Sequence, residues 1–216
     1  MNGAPNWIEQ IVAIAPVIPV LVLEDTESAL MLGEALLEGG LPVLEITLRT
    51  PAALECIRVL SRLKGAVVGA GTVLSPDQLS ASLDAGASFA VSPGSTPRLI
   101  EAALRARVPY LPGVATASEA MALAEQGLSH FKFFPAEALG GTKHLASLAS
   151  PLPHIRFCPT GGITQESAKS WLSLPNVCCV GGSWMAPADA IRSRDAKRIA
   201  AMARQAASLR NAIAPA

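Results

Sequence analysis

No lysine or arginine precedes Arg49. A secretory signal opens on a positively charged segment, so none is expected at this N-terminus. Long apolar runs are missing as well. The run IVAIAPVIPVLVL, residues 11–23, is cut by two prolines and falls short of the roughly 20 residues that cross a bilayer. The chain is therefore expected to be cytoplasmic, with no membrane partner. Charge is sparse. Only 16% of the residues are charged, and 17 Lys plus Arg balance 17 Asp plus Glu. A nucleic-acid surface would carry a basic excess, so no nucleic-acid partner is expected. There is no N-glycosylation sequon. The four cysteines, Cys56, Cys158, Cys178 and Cys179, show no CxxC spacing and no paired histidine ligands. They read as reduced core thiols, and neither a metal site nor a cofactor is expected.

Linkers and low-complexity tracts are also absent, so residues 1–216 are expected to form a single domain. Half of the residues are hydrophobic. Short apolar runs at 17–23, 41–47, 65–71, 88–92, 108–114, 130–134, 155–159 and 177–182 alternate with amphipathic, Ala- and Leu-rich stretches. Continuous β-rich runs mark parallel strands covered on both faces. Eight strand–helix pairs predict an α/β fold, a (β/α)8 TIM barrel, with residues 1–15 as an extra N-terminal helix closing its bottom. An open doubly wound sheet would need a glycine fingerprint at the first βα turn. Leu23-Glu24-Asp25-Thr26 has no glycine, which argues against it.

In a barrel, function gathers at the C-terminal strand ends. Side chains alternate along a strand. In LPVLEITLRT (41–50), Leu44, Ile46 and Leu48 then face the helices, while Val43, Glu45, Thr47 and Arg49 share the other face, with Glu45 pointing into the barrel and Arg49 towards its mouth; taken alone, the two read as a structural ion pair. In SHFKFFPAE (129–137), Phe131 and Phe133 face outward, and His130, Lys132 and Phe134 inward. A buried lysine loses hydration, which favours its neutral, nucleophilic form. Two readings stand for Lys132: attack on a ketone, or an ion pair with Glu45 or Glu137. For Glu137 the start of the next helix is the preferred reading.

Paired glycines end two strands, in FCPTGG (157–162) and VGGSW (180–184). They let backbone N–H groups approach a ligand, and the last two strand ends of such barrels are a recurrent phosphate site. GAGT (69–72) and SPGS (92–95) add small turns, with Thr72 and Ser92 as hydroxyl donors; for Ser92, turn chemistry alone is the standing alternative. GAGT lacks the third glycine of a dinucleotide fingerprint, and GGTK (140–143) lacks Walker A spacing. The three histidines do not cluster, and structural roles are expected for them.

LEITLRT, VGAGTVL, the SPG turn, FKFFPAE, RFCPTGGI and GGSW, in this order and spacing, closely resemble the bacterial 2-keto-3-deoxy-6-phosphogluconate (KDPG) aldolases, also called 4-hydroxy-2-oxoglutarate aldolases. The resemblance runs from about residue 7 to 210. It implies a metal-free class I lyase on a (β/α)8 barrel, as a homotrimer. Its substrate would be a small phosphorylated 2-keto acid, cleaved to pyruvate and glyceraldehyde 3-phosphate. It also implies cleavage of 4-hydroxy-2-oxoglutarate to pyruvate and glyoxylate. Lys132 would form the imine and Glu45 would be the general acid/base. Arg49 and Thr72 would hold the pyruvyl carboxylate. Gly161, Gly162, Gly182 and Ser183 would cradle the phosphate, and Thr160 would lie near the hydroxyl that sets stereochemical preference. The alternatives are the galactonate epimer as substrate, or a sugar-phosphate-binding barrel without catalysis. Whether Cys158 does more than pack stays open.

Overall fold

The computed structural model describes residues 7–212. The chain alternates strand and helix. A short helix α1 (Trp7–Val12) leads into β1 (Val17–Leu21), α2 (Thr26–Glu38), β2 (Val43–Thr47), α3 (Ala53–Leu60), β3 (Val67–Gly71) and α4 (Pro76–Asp84). Then come β4 (Phe89–Val91), α5 (Pro97–Ala106), β5 (Tyr110–Leu111), β6 (Gly113–Val114), α6 (Ala117–Ala124), β7 (His130–Phe133) and α7 (Gly141–Ser147). The rest is β8 (Arg156–Pro159), α8 (Gln165–Leu172), β9 (Val180–Gly182), α9 (Ala188–Arg192), α10 (Ala196–Ala207) and a 3-10 turn over Ser208–Ala212.

Helix starts follow the capping chemistry in the sequence. Asp25, Ser75, Thr96, Thr116 and Thr164 each accept a backbone N–H of the first helical turn. Pro76 and Pro97 sit at the first helical position, where the missing N–H costs nothing.

All strand pairs are parallel. Six strands form one sheet in the order β5-β4-β3-β2-β1-β9, and three form another in the order β6-β7-β8. The expected strand at 108–114 is two short ones because Pro112 interrupts it. Proline cannot donate to the ladder, but its carbonyl still accepts from the Lys132 N–H at 2.9 Å. On the far side, isolated bridges Phe157↔Val177 and Thr160↔Gly181 link β8 to the β9 segment.

Two apolar clusters confirm the strand parity. Leu44, Ile46, Phe131 and Phe133 join the cluster shared with the helices. Val43 joins an inner cluster with Ile18, Phe89, Val91, Leu111, Cys158 and Cys179. Ile8 and Val12 of α1 belong to that inner cluster too, so α1 packs against the strands' inner side chains. The helix expected over 1–15 is seen as Trp7–Val12; residues 1–6 lie outside the described residues. Between α9 and α10 the helical path breaks at Ser193–Asp195, where Arg194 turns left-handed at φ +54°.

Candidate active site

β7 is buried along its whole length, and its outward rings hold it in place. Phe131 and Phe133 each meet Phe157 edge-on at 6.2 Å between ring centroids, and Phe133 lies 6.5 Å from Trp171. Such pairs add about 0.5–1.5 kcal/mol each beyond area burial. With both phenylalanines fixed outward, the residue between them must point inward. Lys132 Nζ donates to Glu45 Oε1 at 2.9 Å, and the two side chains are only 7% and 4% exposed. The Phe134 ring lies 5.6 Å from the same Nζ, within cation–π range.

This pair is costly by itself. Desolvating two charges offsets most of their attraction, so a buried pair is weak evidence for a stabilising role. The contact with Glu45 is the partnership that Lys132's ion-pair reading requires. Glu137 is not a partner. Its carboxylate accepts the Trp171 indole N–H at 2.8 Å, and its backbone N–H donates to Gly161 O at 3.1 Å. It does not start a helix either, because turn residues intervene before α7 begins at Gly141. Glu137 instead fastens the turn after β7 to α8 and to the Gly161 loop.

The remaining expected site residues stand at or just past C-terminal strand ends. β2 ends at Thr47, whose hydroxyl donates to Leu21 O at 2.9 Å. Arg49 is therefore in the turn that follows, beyond the C-terminal end of the strand. It is exposed, and among the described residues it has no ion-pair partner. Thr72, just after β3, is half-buried with φ +57°. That is an outlier for a branched side chain. Its neighbours pin it: Gly71 O accepts from the Leu48 N–H at 2.8 Å, and the Val73 N–H donates to Val91 O at 3.1 Å.

Thr160 is buried, with its hydroxyl 3.4 Å from Cys158 O. Gly161 and Gly162 follow at φ +105° and +81°, a turn that only glycine makes without strain. Ser183 is exposed beyond β9. Gly182 turns the side where a Cβ would stand toward the Trp184 ring, 1.9 Å from that position. Its neighbour Gly181 is the one that faces Thr160, whose Oγ1 would meet a Cβ there at 2.3 Å. The direct side-chain contacts thus join Lys132 with Glu45. Among the described residues, no side-chain hydrogen bond ties Arg49, Thr72 or Ser183 to that pair.

Several groups are used elsewhere. Ser92 does not offer its hydroxyl to the mouth, because it is bonded to Tyr110 Oη at 2.6 Å. Burial pushes Tyr110 up to about 12 against that bond. Cys158 packs in the inner cluster. Hydrogen bonding with Cys158 and Cys178, together with burial, pushes the Cys179 thiol well up, so it is a poor nucleophile. Burial holds the His130 imidazole below its usual range; Glu9 opposes that shift and Arg156 adds to it. Among the described residues, no group of three or more His, Cys, Asp or Glu could hold a metal ion.

A lysine buried against one carboxylate, on parallel strands whose ends carry glycine turns, is the arrangement of a Schiff-base lyase, a class I aldolase. The family described as "Aldolase: KDPG and KHG aldolase" matches residues 8–202. The 2-dehydro-3-deoxy-phosphogluconate aldolase of Dickeya dadantii (strain 3937) is 50% identical over 205 residues, covering 93% of this chain and 96% of that protein. The KDPG aldolase of Zymomonas mobilis ZM4, solved with 3-phosphoglycerate, superposes with a TM-score of 0.91 at 48% identity, covering 96% of this chain and 98% of that one. The Legionella pneumophila KDPG aldolase, solved with pyruvate captured as a covalent carbinolamine, superposes with a TM-score of 0.90 at 43% identity, over 93% and 98% of the two chains. The chain belongs to the KDPG and KHG aldolase family, and is a carbon–carbon lyase.

Proposed function

We propose that this enzyme cleaves 2-dehydro-3-deoxy-6-phosphogluconate to pyruvate and glyceraldehyde 3-phosphate, and 4-hydroxy-2-oxoglutarate to pyruvate and glyoxylate. The observation that carries the reading is the buried 2.9 Å contact between Lys132 and Glu45. Lys132 gives its proton to Glu45 and adds to the C2 ketone; loss of water leaves a protonated imine. That cation withdraws electrons. Glu45, directly or through a water, takes the C4 hydroxyl proton, the C3–C4 bond breaks, and the aldehyde departs. The bond electrons rest in an enamine, which is protonated at C3 and hydrolysed to pyruvate. One water leaves and one returns, so the cleavage balances. A positioned general acid–base group contributes about 10²–10⁴ in rate.

Arg49 and Thr72 bind the substrate carboxylate, Arg49 through its planar fork. Its exposure and its lack of an ion-pair partner suit that role. Gly161, Gly162, Gly182 and Ser183 hold the phosphate, and Thr160 sits beside the C4 hydroxyl. Anchoring the far end of the substrate helps align the reacting carbons.

The whole chain acts as one (β/α)8 barrel domain. The bridges between β8 and β9 and the single residue between β5 and β6 support closure of the ring. Helix α1 closes the bottom, a role supported by Ile8 and Val12 in the inner cluster. The enzyme works in the cytoplasm; among the described residues no helix is long and apolar enough to cross a membrane. It assembles as a homotrimer, and the exposed Leu74, Leu104 and Met121 are apolar surface that assembly can cover.

Borohydride reduction in the presence of pyruvate tests the chemistry. An adduct of about 72 Da on the Lys132 peptide is expected. No adduct, or one on Lys143 instead, would sink the mechanism.

A further inference from the structure

A glutamate on an inner strand face has several rotamers, and only some bring its carboxylate to the lysine. Something must select one. The strand beside Glu45 is β3, paired in register Glu45↔Gly69 and Thr47↔Gly71. A Cβ built on Gly71 would stand 2.3 Å from Glu45 Oε1, 2.6 Å from its Cγ and 2.8 Å from its Cδ. Those are the three nearest atoms, and all belong to Glu45. The Glu45 side chain therefore lies in the space a side chain at 71 would fill. Oε1, the atom nearest that space, is also the atom that Lys132 holds at 2.9 Å.

Backbone demands do not explain this glycine. Gly71 ends a regular strand, and its φ is not positive, so alanine can adopt its conformation. The space itself is what is needed. Both flanks of the notch are fixed, since Gly71 O accepts from the Leu48 N–H at 2.8 Å and Thr47 is tied to Leu21 O. A Cβ at 71 could not back away, and the carboxylate would have to move.

We propose that Gly71 is a positioning residue for the aldol cleavage: its missing side chain seats the Glu45 carboxylate against Lys132. The inference rests on Glu45 as the proton-transfer group. It assigns the last glycine of GAGT to catalysis by way of the carboxylate, distinct from the hydroxyl of the adjoining Thr72.

Gly71→Ala is the test, read with Glu45→Gln and in a Glu45→Ala background. The expected loss in kcat on the phosphorylated 2-keto acid is at least about tenfold, part of the ~10²–10⁴ that a general acid–base group supplies. KM is expected to stay within about threefold, because carboxylate and phosphate binding are untouched. Exchange of the pyruvate methyl protons with D₂O should slow in parallel with kcat. In the Glu45→Ala background, adding Gly71→Ala should leave the residual rate unchanged and should not lower the urea midpoint, since the clashing group is gone and alanine restricts the unfolded chain. If Gly71→Ala alone fails to fold, a folded Gly71→Ala, Glu45→Ala double variant still supports the seat, and a double variant that also fails overturns it. Full activity in Gly71→Ala while Glu45→Gln is impaired refutes this inference alone. Full activity in Glu45→Gln refutes the underlying role of Glu45.

Discussion

Replacing Thr72 with glycine is expected to leave the protein at least as stable and make the enzyme worse. Thr72 holds φ +57°, a region that costs a branched residue about 1–3 kcal/mol. Glycine enters it freely but loses about 0.5–1 kcal/mol through its greater freedom in the unfolded chain. Among the described residues the Thr72 hydroxyl has no hydrogen bond to lose. The backbone anchors on either side, Leu48 to Gly71 and Val73 to Val91, keep the turn in place, so the relief appears as recovered strain. The balance is a gain of about 1 kcal/mol, or about 2–4 °C in melting temperature for a chain of this size. Activity moves the other way. A hydroxyl donated to a carboxylate is worth about 1.5–3 kcal/mol, so kcat/KM should fall about 10- to 150-fold. Most of the fall should be in KM, because the carboxylate is bound alike in ground and transition states. Urea denaturation and steady-state kinetics on the same preparation decide it. A Thr72→Gly variant that loses more than about 1 kcal/mol at an unchanged m-value refutes the strain argument. One that keeps its KM refutes the carboxylate role.

Lys132→Met should abolish turnover and borohydride labelling. It should also destabilise by about 3–5 kcal/mol, because it strands Glu45 in a buried place; adding Glu45→Leu should recover most of that loss. A double variant as unstable as the single one by denaturant titration would show that Glu45 is not left uncompensated. Stability should also depend on pH through His130. Burial lowers its folded pKa below the unfolded value of about 6.5. The unfolded chain then binds the extra proton first. Stability from this group is complete above about 6.5 and is lost as pH falls through that value towards the lower folded pKa. His130→Gln should flatten melting temperature between pH 7 and 5, and an unchanged slope would count against the assignment. Glu9 and Arg156, which act on the imidazole in opposite directions, and Ser129, 3.0 Å from Nδ1, should be kept intact in that variant.

Much of the site was legible because strand alternation is strict. Once Phe131 and Phe133 are assigned to the helix side, Lys132 has one direction left, and the same rule on β2 turns Glu45 to meet it. The rule fails where the strand stops. Arg49 lies two residues past Thr47, in a turn where alternation no longer fixes a direction. The segment 108–114 reads as one strand because apolar character continues through Pro112, although the missing N–H breaks the ladder. Of the two readings for Ser92, donor at the mouth or turn chemistry alone, the first fails. The partner of Ser92, Tyr110, lies 18 residues on, and no local pattern announces a hydrogen bond between two strands.

Glycine shows the same limit from the other side. A glycine in a sequence says that something is absent without saying what uses the space. GAGT and GGSW both suggested turns that expose backbone. In the fold, Gly71 and Gly181 leave room for side chains of neighbouring strands, Glu45 and Thr160, while Gly182 makes room for Trp184 and the left-handed Gly161 and Gly162 form the turn. The distinction matters for the chemistry. A turn glycine shapes the ligand's surroundings, but a notch glycine fixes where a reacting group stands. A carboxylate displaced by even about 1 Å loses its hydrogen bond to the amine, and misplacement on that scale can cost a catalyst about 10²-fold. The precision of the Lys132–Glu45 pair is therefore set jointly by the two charged residues and by the empty position beside them.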